Sequence, residues 1–126
     1  MPVNALTRRV VGKTANYTVT AQNDRSGTVF TNAGASGAIT FTLPTPTFAI
    51  AGWQFRFMGL VDQNIIVAAP TAGTLIVLNS LTANSLAIQT ASQKIGGVIE
   101  ATCVYTGSAY RWQAAGVAVG HTYTVA

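Results

Sequence analysis

Apolar residues in this chain recur at every second position in short runs, and each run is closed by glycine, proline or an Asn/Asp cluster. A period of two puts successive side chains on opposite faces of an extended strand, so the pattern dictates half-buried β-strands. Tyr17-Thr18-Val19-Thr20-Ala21 alternates, Asn23-Asp24-Arg25-Ser26-Gly27 turns the chain, and Thr28–Asn32 follows as a short strand. After Gly34-Ala35-Ser36-Gly37, the run Ala38–Leu43 sets Ile39, Phe41 and Leu43 on one face and threonines on the other. Pro44, which lacks a ladder N–H, ends it.

Beyond the extended connector Pro44-Thr45-Pro46-Thr47, Gly52 opens a strand in which Trp53, Phe55 and Phe57 share a face opposed by Gln54, Arg56 and Met58. Three alternating aromatics form core because each buries a large apolar area. Ile65–Ala69, apolar throughout, predicts burial on both faces, and Pro70-Thr71-Ala72-Gly73 closes it. Thr74–Asn79 and Leu86–Thr90 read as strands, with Leu81–Leu86 open to a helical turn instead. Val98–Tyr105 and Tyr110–Ala114 form a hairpin about Thr106-Gly107-Ser108. The count is about nine or ten strands without a convincing amphipathic helix, the layout of an all-β antiparallel β-sandwich or barrel. One domain suffices at 126 residues. Its expected bounds are an extended N-terminal arm over 1–14, a sandwich over 15–116 and a strand-like C-terminal tail over 117–126.

Charge is scarce, with 7 Lys+Arg and 3 Asp+Glu. An ordinary soluble domain is about a quarter charged, and that charge keeps neighbours apart, so this surface reads as one meant to be covered by protein. Arg8, Arg9 and Lys13 concentrate the net charge of +4 in the arm. Although 49% of the residues are hydrophobic, no apolar run approaches the roughly 20 residues of a spanning helix. No signal-peptide core precedes the domain, which gives synthesis in a cytoplasm as the expectation.

Catalytic and metal chemistry need clustered ionisable groups, and the whole stock is Asp24, Asp62, Glu100, His121 and Cys103. One histidine cannot build a zinc site of the usual ligand count within one chain, and one cysteine cannot form an internal disulfide. Cys103 falls on the apolar face with Ile99, Ala101 and Tyr105 and reads as a small core residue. Asp24 and Asp62 sit in turns, where a carboxylate bonds nearby backbone N–H groups. Glu100 is mid-strand, on the outer face or paired with a cation such as Arg111. Gly34-x-x-Gly37 lacks the helix of a phosphate loop, and Gly12-Lys13-Thr14 lacks the upstream glycine. Asn16-Tyr17-Thr18 matches a glycosylation acceptor by chance. No cofactor is called for, and the expectation is a protein that is not an enzyme.

Several elements in fixed order carry a resemblance: Asp24-x-Ser26-Gly27-x-x-Phe30, Ile39-Thr40-Phe41-Thr42-Leu43-Pro44, Gly52-x-x-Phe55-x-Phe57, Asn64-Ile65-Ile66-Val67, and the Gly107 hairpin with Trp112. Together they resemble the small all-β capsid decoration, or cement, proteins of tailed bacteriophages, with related patterns in head-fibre and tail-fibre modules. The resemblance implies a jelly-roll-like or related β-sandwich that binds the outer surface of a virion shell, often as a homodimer or homotrimer, and it implies no catalytic residue. The expected function is therefore to stabilise an assembled capsid by bridging neighbouring major capsid subunits, with neither nucleic acid nor membrane as partner. The alternative is a fibre or receptor-binding and trimerisation module that contacts host glycans.

Two candidate sites lie outside the resemblance. Arg8, Arg9 and Lys13 are expected to meet acidic capsid patches, on an arm that would reach roughly 40 Å if extended at about 3.3–3.6 Å per residue. Val117, Val119, Tyr123 and Val125 alternate in the tail and are expected to mediate self-association as an exchanged strand.

Overall fold

The computed structural model describes residues 9–88 and 94–126. Its chain begins by shuttling between two facing sheets. Strands β1 (Val10–Gly12), β3 (Val29–Thr31) and β5 (Gln54–Met58) lie in one sheet, while β2 (Tyr17–Thr18), β4 (Ile39–Thr42) and β6 (Ile65–Ala68) lie in the other. Every crossing reverses the chain, so strands that become neighbours within a sheet run the same way. β1, β3 and β5 pair in parallel, and so do β2, β4 and β6. The second half, β7 (Leu75–Val77), β8 (Ser80–Ala83), β9 (Ser85–Ile88), β10 (Val98–Tyr105), β11 (Tyr110–Gly116) and β12 (Tyr123–Val125), pairs antiparallel except where β7 joins β11 in parallel. The finished sheets read β1-β3-β5-β10-β11-β7-β8 and β12-β9-β6-β4-β2.

This is an all-β, two-sheet architecture of the sandwich kind, and it corrects the antiparallel expectation: both sheets are mixed. Alternation of apolar residues sets which way a side chain faces but not the direction of the neighbouring strand, which depends on whether the chain turns back or crosses over. Two further corrections concern local structure. Residues 10–12 of the expected arm form a sheet edge, and Leu81–Leu86 belongs to strands β8 and β9. Ile65–Ala69 is buried on one face only, with Ile65 and Val67 inside and Ile66 and Ala68 partly exposed outside.

Between the sheets the inward faces interlock through aromatic rings. Phe30 lies 5.4 Å from Phe41 and 5.4 Å from Phe57, Phe41 lies 5.0 Å from Phe57, and Phe55 reaches Trp112 at 5.7 Å. Trp53 is only partly buried and packs at the margin of this cluster. The Trp112 indole N–H donates to the Pro44 carbonyl at 2.7 Å, so the one polar atom of that side chain is satisfied inside the core. Cys103 is buried as expected, and burial pushes its thiol pKa up, with a backbone hydrogen bond to Thr47 opposing the shift.

Asn32 is an internal clamp that alternation does not announce. Its side-chain oxygen accepts from the backbone N–H groups of Leu60 and Val61, and its amide donates to the carbonyls of Val61 and Gln63. A buried amide with all these partners fixes the loop between β5 and β6 against the end of β3. At the β7–β8 hairpin, Leu78 (φ 42°) and Asn79 (φ 66°) both take left-handed backbone conformations, the pair of positive φ values that a tight two-residue hairpin demands.

Phe30 touches both sheets, so Phe30→Ala should cost about 3–5 kcal/mol, read as a lowered urea midpoint at unchanged slope. Leu60→Ala, at an exposed position, should shift stability by no more than about 0.5 kcal/mol in the same assay.

Candidate interaction surfaces

Both terminal segments sit on sheet edges, at opposite sides of the molecule. Arg8 lies outside the described residues. Arg9 is spent within the fold: its guanidinium bonds the buried Asp24 carboxylate at 3.2 Å and the Asn23 carbonyl at 2.9 Å. Asp24 also accepts from the Tyr17 hydroxyl at 2.8 Å and the Thr20 N–H at 3.2 Å. Lys13 stands 3.9 Å over the Tyr17 ring, a cation–π contact. The expected capsid-binding cations that are described are thus a latch joining β1, β2 and the 20–24 turn.

At the other edge, the proposed self-association residues separate by role. Tyr123 turns inward: its ring covers Gly116, where a Cβ would overlap it, and its hydroxyl donates to the Val98 carbonyl at 3.1 Å and accepts from Val98 and Ala118 N–H groups. Val119 is 100% exposed, Val117 is exposed, and Val125 stands at the open rim of the sandwich with 36% of its surface accessible. β12 itself pairs with β9 of its own chain. The 117–121 segment is held by the His121 Nε2–H, which donates to the Ile95 carbonyl at 3.0 Å, and by Val117 N–H to Val98.

The carboxylates do not converge. Glu100 is on the outer face of the first sheet, as its mid-strand position suggested, but its partner is the cross-strand Arg56 at 2.8 Å and not Arg111. Arg111 donates instead to the Leu81 carbonyl. Asp62 accepts from the Lys94 N–H and lies 3.8 Å from its ammonium. All three acidic groups in the chain are therefore matched by a cation within the fold.

The outer rows of the second sheet are neutral. Across the second sheet the register lines up Thr18, Thr42, Ala68 and Ser85 in one row, and Thr40, Ile66, Ala87 and Thr124 in the next. Beside it, a groove of about 620 Å³ is lined by uncharged residues, among them Thr18, Thr20, Gln22, Thr45 and Pro70. At the tip of the β10–β11 hairpin, Tyr105 and Tyr110 lie 4.8 Å apart, and Phe48, 80% exposed, meets Tyr110 edge-on at 6.3 Å. Alternation hinted at the neutral rows through the Thr-x-Thr spacing. It could not reveal the aromatic group, whose members come from positions far apart in sequence.

Among the described residues, no helix is long and apolar enough to cross a membrane. No protein-family model matches the chain, and no curated protein matches it in sequence.

The latch has a readout in alkali. Burial pushes the Tyr17 phenol above its ordinary value of 10.0; the hydrogen bond and negative charge of Asp24 add to the shift, and Arg9 opposes it. A raised folded value means the native state keeps a proton the unfolded chain has lost, so this contribution is full below pH 10 and disappears as pH rises through the folded value. Asp24→Asn should bring Tyr17 ionisation to lower pH, followed by tyrosinate absorbance and assigned by loss of the transition in Tyr17→Phe. An unmoved titration would remove Asp24 from this role.

Proposed function

We propose that this chain is a structural protein of a virion, seated on the outer surface of a phage capsid and bridging neighbouring major capsid subunits. The observation that carries the reading is the outer face of the second sheet, a flat field of Thr, Ser, Ala and Ile side chains without a formal charge. Such a face can be covered by another protein without stranding an unpaired charge at the contact, which is the costly event in forming an interface. Internal neutralisation of Asp24, Glu100 and Asp62 supports it further, because a partner then meets no unpaired carboxylate. The phage setting rests on the sequence resemblance.

Mechanism follows from linkage. A protein that binds the assembled lattice and not its separated subunits adds its binding free energy to the lattice and opposes opening. The reaction involves no bond making, so the chain is read as a non-enzyme that works without a cofactor, with the virion exterior as its location and self-association in a dimer or trimer as its working state. Nucleic acid and membrane are not assigned as partners.

A second reading is favoured by Phe48, Tyr105 and Tyr110. Exposed, clustered rings suit the apolar faces of glycans, the recognition expected of a fibre module.

Purified capsids lacking this chain, incubated with it and imaged by electron microscopy, should gain ordered surface density and open at a higher temperature. Ala68→Glu, placing one charge in the neutral face, should weaken attachment at least about tenfold, near 1.4 kcal/mol, with the melting curve of the free protein little changed. Full occupancy by Ala68→Glu would assign attachment to another face, and binding to glycan arrays with no binding to capsids would favour the second reading. Removal of residues 1–8 tests any arm contribution while leaving the Arg9–Asp24 latch in place.

A further inference from the structure

The second sheet ends on β12, and two hydrogen bonds at its foot determine where its backbone points. Ala126 N–H donates to the Ser85 carbonyl at 3.1 Å, and Ser85 N–H donates back to the Ala126 carbonyl at 3.2 Å. Mutual exchange marks a bonded antiparallel pair, and bonded pairs alternate with unbonded ones. In the observed register Thr124 opposite Ala87 is the next bonded pair, so Thr124 turns its N–H and C=O toward β9. Tyr123 and Val125 turn theirs to the open edge. Tyr123 packs against the core and Val125 lies at the rim, while the backbone groups of both face out.

An open row of ladder groups is an invitation to another strand, and proteins normally block it with charge, proline or a bulge. The other three edges each carry such a device or are very short. β1 is flanked by Arg9 and Lys13, β8 has a register irregularity against β7, and β2 has two residues. β12 has none: from Trp112 to Ala126 the chain contains no Lys, Arg, Asp, Glu or Pro. Beside it, Asn84 N–H bonds the Ala126 carbonyl, which brings the end of β8 to the same side of the sandwich. Leu81 on β8 is 65% exposed.

We infer that β12 pairs antiparallel with β12 of a second copy about a two-fold axis at Thr124, making the two five-stranded sheets continuous. In that ladder Tyr123 of each copy exchanges hydrogen bonds with Val125 of the other, using the groups that point outward, and the two Thr124 side chains meet across the axis. A two-fold contact sets the same surface against itself, which a segment without formal charge tolerates and a charged one does not. The tail therefore associates by addition of a strand already seated on its own chain, not by exchange. This deepens the self-association part of the function proposed above and selects the dimer. It does not depend on capsid binding.

Sedimentation equilibrium of the full chain, with no capsid present, should give twice the chain mass. Val125→Pro removes an N–H that faces the open edge and leaves the Thr124 bonds to β9 intact, so it should halve the mass with strand content unchanged by circular dichroism. Thr124→Cys should form a covalent dimer under mild oxidation, because directly opposed unbonded residues of an antiparallel ladder lie about 4.5 Å apart at Cα, within disulfide reach. Cys103 is buried and gives no background. A wild type that stays monomeric overturns the inference, including one whose edge accepts a strand from some other protein. So does a dimer that survives Val125→Pro, or a Thr124→Cys chain that does not cross-link.

Discussion

The alternating path of the first six strands around a shared aromatic core is the constraint from which the other features follow. A chain that places each successive strand in the opposite sheet must lay its aromatic side chains inward from both sides at the same level. Phe30 and Phe57 from one sheet therefore meet Phe41 from the other, within 5.4 Å. Parallel neighbours normally require a long crossover connection. Here the intervening strand of the other sheet serves as the crossover, so no helix is needed to link them. Because the path starts at one side and progresses, β1 and β2 are left as edges. The hairpins of the second half then extend the sheets the other way and leave β8 and β12 as the opposite edges.

Side-chain direction was legible in the sequence and strand partnership was not. Phe55, Phe57, Ile39, Phe41, Leu43, Cys103 and Trp112 are buried where period two puts them. Period two is a property of one strand, whereas parallel or antiparallel pairing is a relation between strands whose connection the sequence leaves unspecified. The Gly107 hairpin could be read because both partners are adjacent and a glycine marks the turn, which takes φ 96°. The β7–β8 turn was hidden by Leu78, a residue that seldom adopts positive φ. Val10–Gly12 looked like an arm because its partner, Val29–Thr31, is remote in sequence. Glu100 was placed on the correct face, yet Arg56 is its partner because β5 and not β11 presents a cation at that register.

Charge is scarce, and its carboxylates are all matched within the fold. Arg9 holds β1 to the Asp24 turn, Arg56 and Glu100 bridge two strands, and Lys94 meets Asp62. The exposed pairs contribute little to stability, on the order of 0–1 kcal/mol each. Their larger effect is on the surface, where they leave no carboxylate without a cation beside it. Threonine supplies hydroxyls in place of charge, which keeps an outward face wettable and still allows close protein contact.

The segments on which the proposed phage setting rests are core segments. Phe30, Phe41, Phe55, Phe57 and Trp112 carry most of their character, and all five are buried. A core motif reports how a chain folds and leaves its partners open. Partner choice must then reside in residues the motif does not include: the neutral outward rows, the aromatic tip of the β10–β11 hairpin, and the two terminal strands. Those strands are managed differently. β1 has cations on both sides and a latch that fixes it to its own fold, while β12 presents bare backbone in a run, Trp112–Ala126, without Lys, Arg, Asp or Glu. If β12 pairs as inferred, the asymmetry restricts association through strands to a single side and closes it as a pair instead of a filament.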